Sequence, residues 1–157
     1  MNDTMIKLHF NLEPAEWHDV AVESLWAKRM PTDDGARILE LQNSPFYAFG
    51  ISYLDIVSAV EADGRFVFSS VVIPAGHSTY RLLMPDVSPK FEAGWALLSQ
   101  QGCTYESGNL GEQHLFSVDV PPDADIHTVY RMLEEGEAQG LWKFEEGHCG
   151  HVIWALA

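Results

Sequence analysis

The sequence has few positive charges. Its 157 residues include nine Lys and Arg against 23 Asp and Glu, which gives a formal net charge of −14 at pH 7. The imbalance is larger after Met84, where three basic residues stand against twelve acidic ones. Because such a surface repels phosphate groups, the composition argues against binding to nucleic acids or to anionic membranes. The same charge would attract a basic protein surface and speed the encounter with it.

Cysteines and long apolar runs are also scarce. Cys103 and Cys149 show no C-x-x-C spacing, so a disulfide framework is not expected. No apolar run approaches the length of a membrane span, and the first residues lack the basic and apolar regions of a signal peptide. We therefore expect a cytoplasmic protein. A chain of this length buries enough surface to fold without a metal, and the sequence predicts no cofactor.

The first half of the sequence is rich in predicted strands. Many short strands in succession favour a small β-barrel-like unit, which we place over residues 1–75. In the second of these strands we expect Val20, Val22 and Leu25 to be core residues. Alternating apolar and polar side chains, with an Asp-Gly turn at 63–64, predict strands at 5–12, 19–30, 36–42 and, as a hairpin, 55–73.

The second half alternates between strands and helices. From about residue 77 the predicted order is β-α-β-β-α-β, which is typical of a ferredoxin-like unit with two helices on one face of an antiparallel sheet. We place this unit over residues 76–157, and the whole chain is then of the α+β class. The predicted strands are 77–84, 103–108, 113–120 and 141–147, with 151–157 as a candidate for one more.

Apolar spacing and capping residues define the two helices. The first is predicted over 88–102 and the second over 121–140. The expected signals are Ser88 and either Asp123 or Asp125 as N-caps, Gly102 and Gly140 as ends, Phe91, Trp95 and Leu98 as the apolar face of the first helix, and Ile126, Val129, Tyr130 and Leu133 as that of the second.

The segment GHSTYR at 76–81 is the first candidate site. Alternation along a strand places His77, Thr79 and Arg81 on one face, whereas Ser78 and Tyr80 lie on the other. His77 and Ser78 therefore cannot form a base–nucleophile pair, and the glycine spacing of a nucleophile elbow is missing. We expect the stripe to be a paired polar network where the two units meet, with Glu23 or Asp55 as acceptors.

An aromatic loop is the second candidate site. The stretch NSPFYAFGISYLD contains Phe46, Tyr47, Phe49 and Tyr53. We favour a loop that caps the end of the barrel-like unit. The alternative is a ligand pocket of a small-molecule sensor or an enzyme, since aromatic loops often line such pockets. Its residues would be Phe46, Tyr47, Tyr53, His77, Thr79 and Arg81.

Two further groups carry charged or metal-binding residue types. His148, Cys149 and His151 lack the second ligand pair that zinc sites contain, so we predict no metal site. A run of acidic residues has only Arg131 and Lys143 nearby to offset it. That run is either a solvated face or a surface for a basic protein partner. Its members are Glu134, Glu135, Glu137, Glu145 and Glu146.

Several segments of the chain, taken in order, resemble one known family. They read VESLWA (22–27), NSPFYAFGISYLDIV (43–57), GHSTYR (76–81), VDVPPDADI (118–126) and EGEAQGLWKFEE (135–146). The family is the bacterial domain of unknown function 4265, and the resemblance spans nearly the whole chain except GHCGHVIWALA at its end. It implies a small cytoplasmic bacterial protein and no particular reaction. In size and charge the chain is also similar to immunity proteins that neutralise secreted bacterial toxins.

The sequence thus predicts a non-enzymatic protein of the immunity or antitoxin type. It would bind a cognate toxin with a basic surface, as a monomer or in a 1:1 complex. The absence of a catalytic constellation and the excess of acid motivate this hypothesis. The alternative is the sensor or enzyme that uses loop 43–53 and the stripe of His77, Thr79 and Arg81.

Overall fold

The computed structural model describes residues 5–13, 15, 18–31 and 37–153. These residues are mostly β structure with two helices, and they form two antiparallel sheets. The elements are β1 (Met5–Asn11), β2 (Val22–Arg29), β3 (Ile38–Leu41), β4 (Ile56–Ala62), β5 (Arg65–Ile73), β6 (Ser78–Met84), α1 (Pro89–Gln100), β7 (Thr104–Leu110), β8 (Gln113–Val120), α2 (Ile126–Ala138) and β9 (Lys143–His148).

The first sheet contains β1 to β5 in chain order. Neighbouring strands are antiparallel, and β1 also pairs with β5 in a short parallel contact, so the hydrogen-bonded order closes on itself. The predicted hairpin is confirmed: Asp63 and Gly64 have φ values of 52° and 77°, the left-handed conformation that a tight β4–β5 turn requires. The buried apolar residues of this sheet are Leu8, Phe10, Leu25, Ala27, Leu39, Leu41, Ala48, Ile51, Val57 and Ala59.

The second sheet has the strand order β7-β8-β6-β9, and every neighbouring pair is antiparallel. Helix α1 connects β6 to β7, and α2 connects β8 to β9. A second core lies between this sheet and the two helices. It contains Tyr80, Leu82, Met84, Phe116, Val118 and Val120 from the strands, and Phe91, Leu98, Ile126, Val129 and Leu133 from the helices.

The predicted helix signals are largely confirmed. The Ser88 side chain accepts a hydrogen bond from the Phe91 backbone, and the Asp125 side chain accepts from His127 and Thr128. Gly102 and Gly140 have φ values of 92° and 76° just beyond the helix ends. Neither helix in the described ranges is long and apolar enough to cross a membrane.

Three predictions about local structure were wrong in detail. Val22 is 46% exposed, because β2 alternates so that Glu23 and Leu25 face inward. Helix α2 begins at Ile126 and not at residue 121, because Ala124 donates to Pro121 in a turn that precedes the Asp125 cap. Tyr130 is 40% exposed and only partly joins the apolar face of α2.

The candidate strand at 151–157 is not observed over the described part of that segment. Residues 151–153 are outside any strand, and 154–157 lie outside the described residues.

A glycine in the middle of α2 shows how tightly the second core is packed. Gly136 is buried, and a Cβ added there would overlap the indole ring of Trp142. That indole is itself buried, and its Nε1 donates a 3.0 Å hydrogen bond to the Leu133 carbonyl. The missing side chain therefore makes room for Trp142 at the start of β9.

We expect Gly136→Ala to lower the free energy of unfolding by about 1–3 kcal/mol, the usual effect of overpacking a core. Helix propensity alone predicts the opposite sign, because Ala is favoured over Gly by about 1 kcal/mol in a helix. Urea denaturation of the variant measures the sign. In a Trp142→Leu background the same change should become neutral or stabilising, and a loss of equal size there would contradict the packing explanation.

Candidate functional site

Loop 42–55, between β3 and β4, covers the face of the second sheet that the helices leave open. Both faces of β6 are therefore buried: Thr79 and Arg81 face the loop, and Tyr80 and Leu82 face the helices. The Ser117 hydroxyl donates to the Pro45 carbonyl oxygen at 2.7 Å. The predicted polar stripe thus lies at the contact between the two sheets.

The carboxylate of Glu23 holds the middle of this loop. It accepts hydrogen bonds from three consecutive backbone N–H groups, those of Phe46 at 2.6 Å, Tyr47 at 3.1 Å and Ala48 at 2.9 Å. Glu23 is only 8% exposed, so these bonds replace water around its charge. Burial and the nearby charge of Glu23 also raise the pKa of Tyr47.

Arg81 reaches the same loop from the second sheet. Its Nη2 donates to the Ala48 carbonyl oxygen, and the Phe49 ring centroid lies 4.9 Å from its Cζ. A Cβ at Gly147 would lie 2.8 Å from Cζ, so the β9 backbone passes directly against the guanidinium. Burial lowers the pKa of Arg81, whereas the negative charges of Glu23 and Glu145 act in the opposite direction. The backbone of Ala48 therefore binds both charges: its N–H donates to the Glu23 carboxylate, and its carbonyl oxygen accepts from Arg81.

A chain of hydroxyl and imidazole groups continues the contact. The Ser52 and Thr79 hydroxyls share a 2.7 Å hydrogen bond, and Ser52 Oγ lies 2.8 Å from His148 Nδ1. Asp55, one of the two predicted acceptors for the stripe, instead accepts from the backbone N–H groups of Ser52 and Ala75. Glu23, the other predicted acceptor, accepts from the loop backbone, and its charge acts on the stripe at Arg81, as does that of Glu145.

His77 lies just before β6 and pairs with Asp119 of β8. Its Nδ1 is 2.9 and 3.0 Å from the two carboxylate oxygens, and the edge of the Tyr53 ring meets the imidazole at a centroid distance of 5.4 Å. Burial raises the pKa of Asp119, and the charge of and hydrogen bond from His77 oppose that shift. Among the hydrogen bonds of the described residues, none joins His77 to a serine, threonine or cysteine side chain.

The serine next to His77 pairs with a different histidine. Ser78 Oγ lies 2.6 Å from His151 Nδ1, and His151 Nε2 lies 2.8 Å from the Pro121 carbonyl oxygen. The Gly150 backbone donates to the same hydroxyl at 2.9 Å. Ser78 is fully buried, whereas His151 is half-buried and borders a cavity of about 430 Å³.

Residues 148–151 therefore have a structural role that the sequence did not reveal. They bind Ser52 and Ser78, which are distant in the chain, and no local pattern signals such partners. Within the ranges that the structure describes, no three His, Cys, Asp or Glu side chains are grouped so that they could hold a metal ion.

The predicted pocket residues do not converge on one cavity. Arg81 borders a cavity of about 330 Å³, whereas Tyr53 borders a different one of about 470 Å³. Phe46 and Tyr47 are half-buried, and it is their backbone N–H groups that bind Glu23. Thr79 and His77 bind Ser52 and Asp119, respectively.

The five acidic residues lie on two faces of the second sheet. Glu137 accepts from the Phe144 backbone, and Glu146 accepts from the Tyr80 hydroxyl at 2.8 Å on the helix side. Glu145, on the opposite side of β9, borders the Arg81 cavity. Glu134 and Glu135 are exposed on α2, and Glu134 and Glu146 border one groove of about 770 Å³.

We expect Glu23→Gln to lower the free energy of unfolding by about 3 kcal/mol. The change removes the charge that balances Arg81, and it sets an amide NH₂ group against the loop N–H groups. Urea denaturation provides the measurement. Glu61→Gln is the matched control because Glu61 is exposed and pairs with Arg37 at 3.4 Å, so its cost should stay below about 1 kcal/mol. Equal losses in the two variants would contradict the central role of Glu23.

The two cysteines should differ in reactivity. Burial raises the pKa of the Cys103 thiol to about 12, which leaves very little of the reactive thiolate at neutral pH. Cys149 is half-buried near the surface. A thiol titration of the folded protein should modify Cys149 first and Cys103 only after unfolding in denaturant. Equal rates for both thiols in the folded protein would contradict this assignment.

Comparisons with known proteins identify a family and a fold. The family model described as Domain of unknown function (DUF4265) matches residues 23–144. A solved structure, described as a novel crystal structure of a hypothetical protein from Neisseria gonorrhoeae, matches with a TM-score of 0.75 at 22% identity. The match covers 92% of this chain and 94% of that one, and at this identity the likeness is one of fold. The curated proteins include no match to this chain.

Proposed function

Because the chain belongs to the DUF4265 family, whose name specifies no activity, we propose its function from its own surface. We propose a non-enzymatic protein of the immunity or antitoxin type, which neutralises a bacterial toxin by direct binding. The observation that carries this proposal is the groove beside α2, where acidic and exposed aromatic side chains occur together. The partner would present a basic surface, and the two proteins would form a 1:1 complex.

The composition of the groove supports a protein partner. Glu134 and Glu146 supply negative charge, of which Arg131 at the same groove offsets part, and Tyr130 and Ile153 are 40% and 58% exposed. Tyrosine is enriched at the energetic centres of protein interfaces, and charged residues at the rim guide association. The chain's net charge of −14 extends this attraction beyond the groove.

The arrangement of the polar residues also favours binding over catalysis. His77, Ser78 and Thr79 are the residue types that first suggest chemistry, and each has a hydrogen-bond partner in the fold: Asp119, His151 and Ser52, respectively. Buried polar groups in any fold need such partners. Their positions are explained by folding alone.

We further propose an architecture of two units for this binding protein. The closed order of β1 to β5 supports a small barrel over residues 1–75. The order β7-β8-β6-β9, with both helices on one face, supports a ferredoxin-like unit over 76–157. The proposed boundary falls between the end of β5 at Ile73 and the start of β6 at Ser78. We propose that the protein acts in the cytoplasm.

The partner can be sought by affinity capture from native cells at low salt, and the groove can then be tested on the purified complex. We expect Tyr130→Ala to weaken binding by about 30-fold, because truncating a central aromatic residue costs about 2 kcal/mol. Paired charge reversal, Glu134→Lys with Glu135→Lys, should weaken it by about tenfold and reduce its salt dependence. Glu112→Lys, at an exposed turn outside the groove, is the control and should change the affinity by less than about threefold.

Two outcomes would contradict the proposal. One is purification of the chain from its native cells at low salt without any protein partner. The other is a partner whose affinity is equally insensitive to the groove variants and to the Glu112 control.

A second candidate function is small-molecule binding, by a sensor or an enzyme that uses loop 43–53 and the stripe of His77, Thr79 and Arg81. One observation favours it. The buried guanidinium of Arg81 borders a cavity and keeps hydrogen-bond donors without acceptors.

A further inference from the structure

Arg81 is a buried cation with unused donors. Its side chain is 2% exposed, and of its donor nitrogens Nη2 binds the Ala48 carbonyl oxygen. Nε and Nη1, which together carry three N–H groups, have no hydrogen-bond partner among the residues that the structure describes. Leaving such donors buried and unpaired is unfavourable, so an acceptor that reached them would bind with an advantage.

The cavity beside Arg81 has a mixed lining. Leu83 and Leu115 supply an apolar wall, whereas Lys143 and Glu145 place one positive and one negative charge at its border. Phe144 borders the cavity from β9, but its ring packs on the helix side against Tyr80 and Tyr130. Its volume of about 330 Å³ lies at the small end of the range for ligand sites. Arg81 and Lys143 thus supply two positive charges at the cavity and Glu145 one negative charge, while the Glu23 carboxylate acts on Arg81 from the loop.

We infer that this cavity binds a small monocarboxylate with an apolar body, whose carboxylate pairs with Arg81 and whose body lies against Leu83 and Leu115. This inference rests on the second candidate function and specifies its ligand class. Carboxylates form short, charge-assisted hydrogen bonds with guanidinium groups, which makes them the natural acceptors for the unused donors. Because Glu145 repels further negative charge, a dianion such as inorganic phosphate should bind less well.

Access to the guanidinium requires a small side-chain movement. Nε and Nη1 are covered: the β9 backbone at Gly147 lies against the guanidinium on one side, and the Phe49 ring centroid lies 4.9 Å from Cζ. Phe49 is 57% exposed, so its ring is the side chain that we expect to rotate. The Ala48 carbonyl holds Nη2 in place meanwhile, so the carboxylate would meet a guanidinium whose orientation is already set.

The test uses benzoate as the probe, with benzamide as its neutral equivalent and inorganic phosphate as the dianion. In ¹H–¹⁵N NMR spectra of the whole chain, benzoate should shift the Arg81 Nε–H signal in a saturable way. Benzamide should bind about tenfold more weakly, because it offers no charge-assisted bond. Phosphate should also bind more weakly than benzoate.

Two test variants, each with a matched control, change residues around Arg81. Arg81 itself is left unchanged, because its replacement would disturb the loop as well as the cavity. Leu83→Trp fills the cavity and should abolish the benzoate shift, whereas Leu97→Trp, at an exposed position of α1, should not. Lys143→Gln should weaken benzoate binding by up to about fivefold, and Lys90→Gln, which is exposed on α1, should leave it unchanged.

The possible results separate the ligand class from the function on which it rests. If benzamide or phosphate binds at Arg81 more tightly than benzoate, the carboxylate assignment is overturned while ligand binding at the cavity stands. If no probe shifts the Arg81 signal, or if Leu83→Trp leaves the shifts unchanged, both the assignment and the second candidate function fail.

Discussion

The fold depends on a buried carboxylate and a buried guanidinium that meet at one stretch of backbone. Glu23, from the first sheet, accepts from three N–H groups of the loop, and Arg81, from the second sheet, donates to the Ala48 carbonyl of that loop. Either charge alone would be costly in this position, because removing one partner of a buried pair leaves the other uncompensated. Together they fix the loop between two sheets that otherwise have separate apolar cores.

The polar character of this contact explains why the two cores do not merge. The face of β6 that carries Thr79 and Arg81 lies against loop backbone, and the opposite face carries the apolar residues that pack on the helices. Hydrogen bonds are directional, so a contact of this kind admits one relative placement of the sheets. The proposed binding surfaces lie on opposite faces of the second sheet. The acidic groove is on the face that carries the helices, and the Arg81 cavity is on the face that meets the loop.

Local signals in the sequence predicted the strands and helices well, because alternation, caps and the Asp-Gly turn act over a few residues. In β2, the prediction was wrong at Val22. This residue is apolar, but alternation along the strand places it on the exposed face, and Glu23 takes the inward position. A carboxylate on a core face has no local explanation, since its partners are loop N–H groups more than twenty residues away.

The candidate sites were harder to predict for the same reason. The sequence predicted that His77, Thr79 and Arg81 belong to a paired polar network, but their partners, Asp119, Ser52 and the Ala48 carbonyl, could be identified only from the fold. The acidic run looked continuous in sequence, yet alternation along β9 sends Glu145 and Glu146 to opposite sides of the sheet. The histidines at 148 and 151 gave no sign that they bind serines from distant parts of the chain.

The placement of these histidines has a consequence for the order of folding on the ribosome. Strands β1 to β5 pair only with one another, so the first sheet can form once Ile73 has emerged. Strand β6 is synthesised next but pairs with β8 and β9, and its first residue waits for Gly150 and His151. The nascent chain therefore carries a folded first sheet and an unpaired, partly apolar strand until β8 has been made, and one edge of that strand stays open until β9 follows. During that interval, protection of β6 would fall to chaperones or to the ribosome surface.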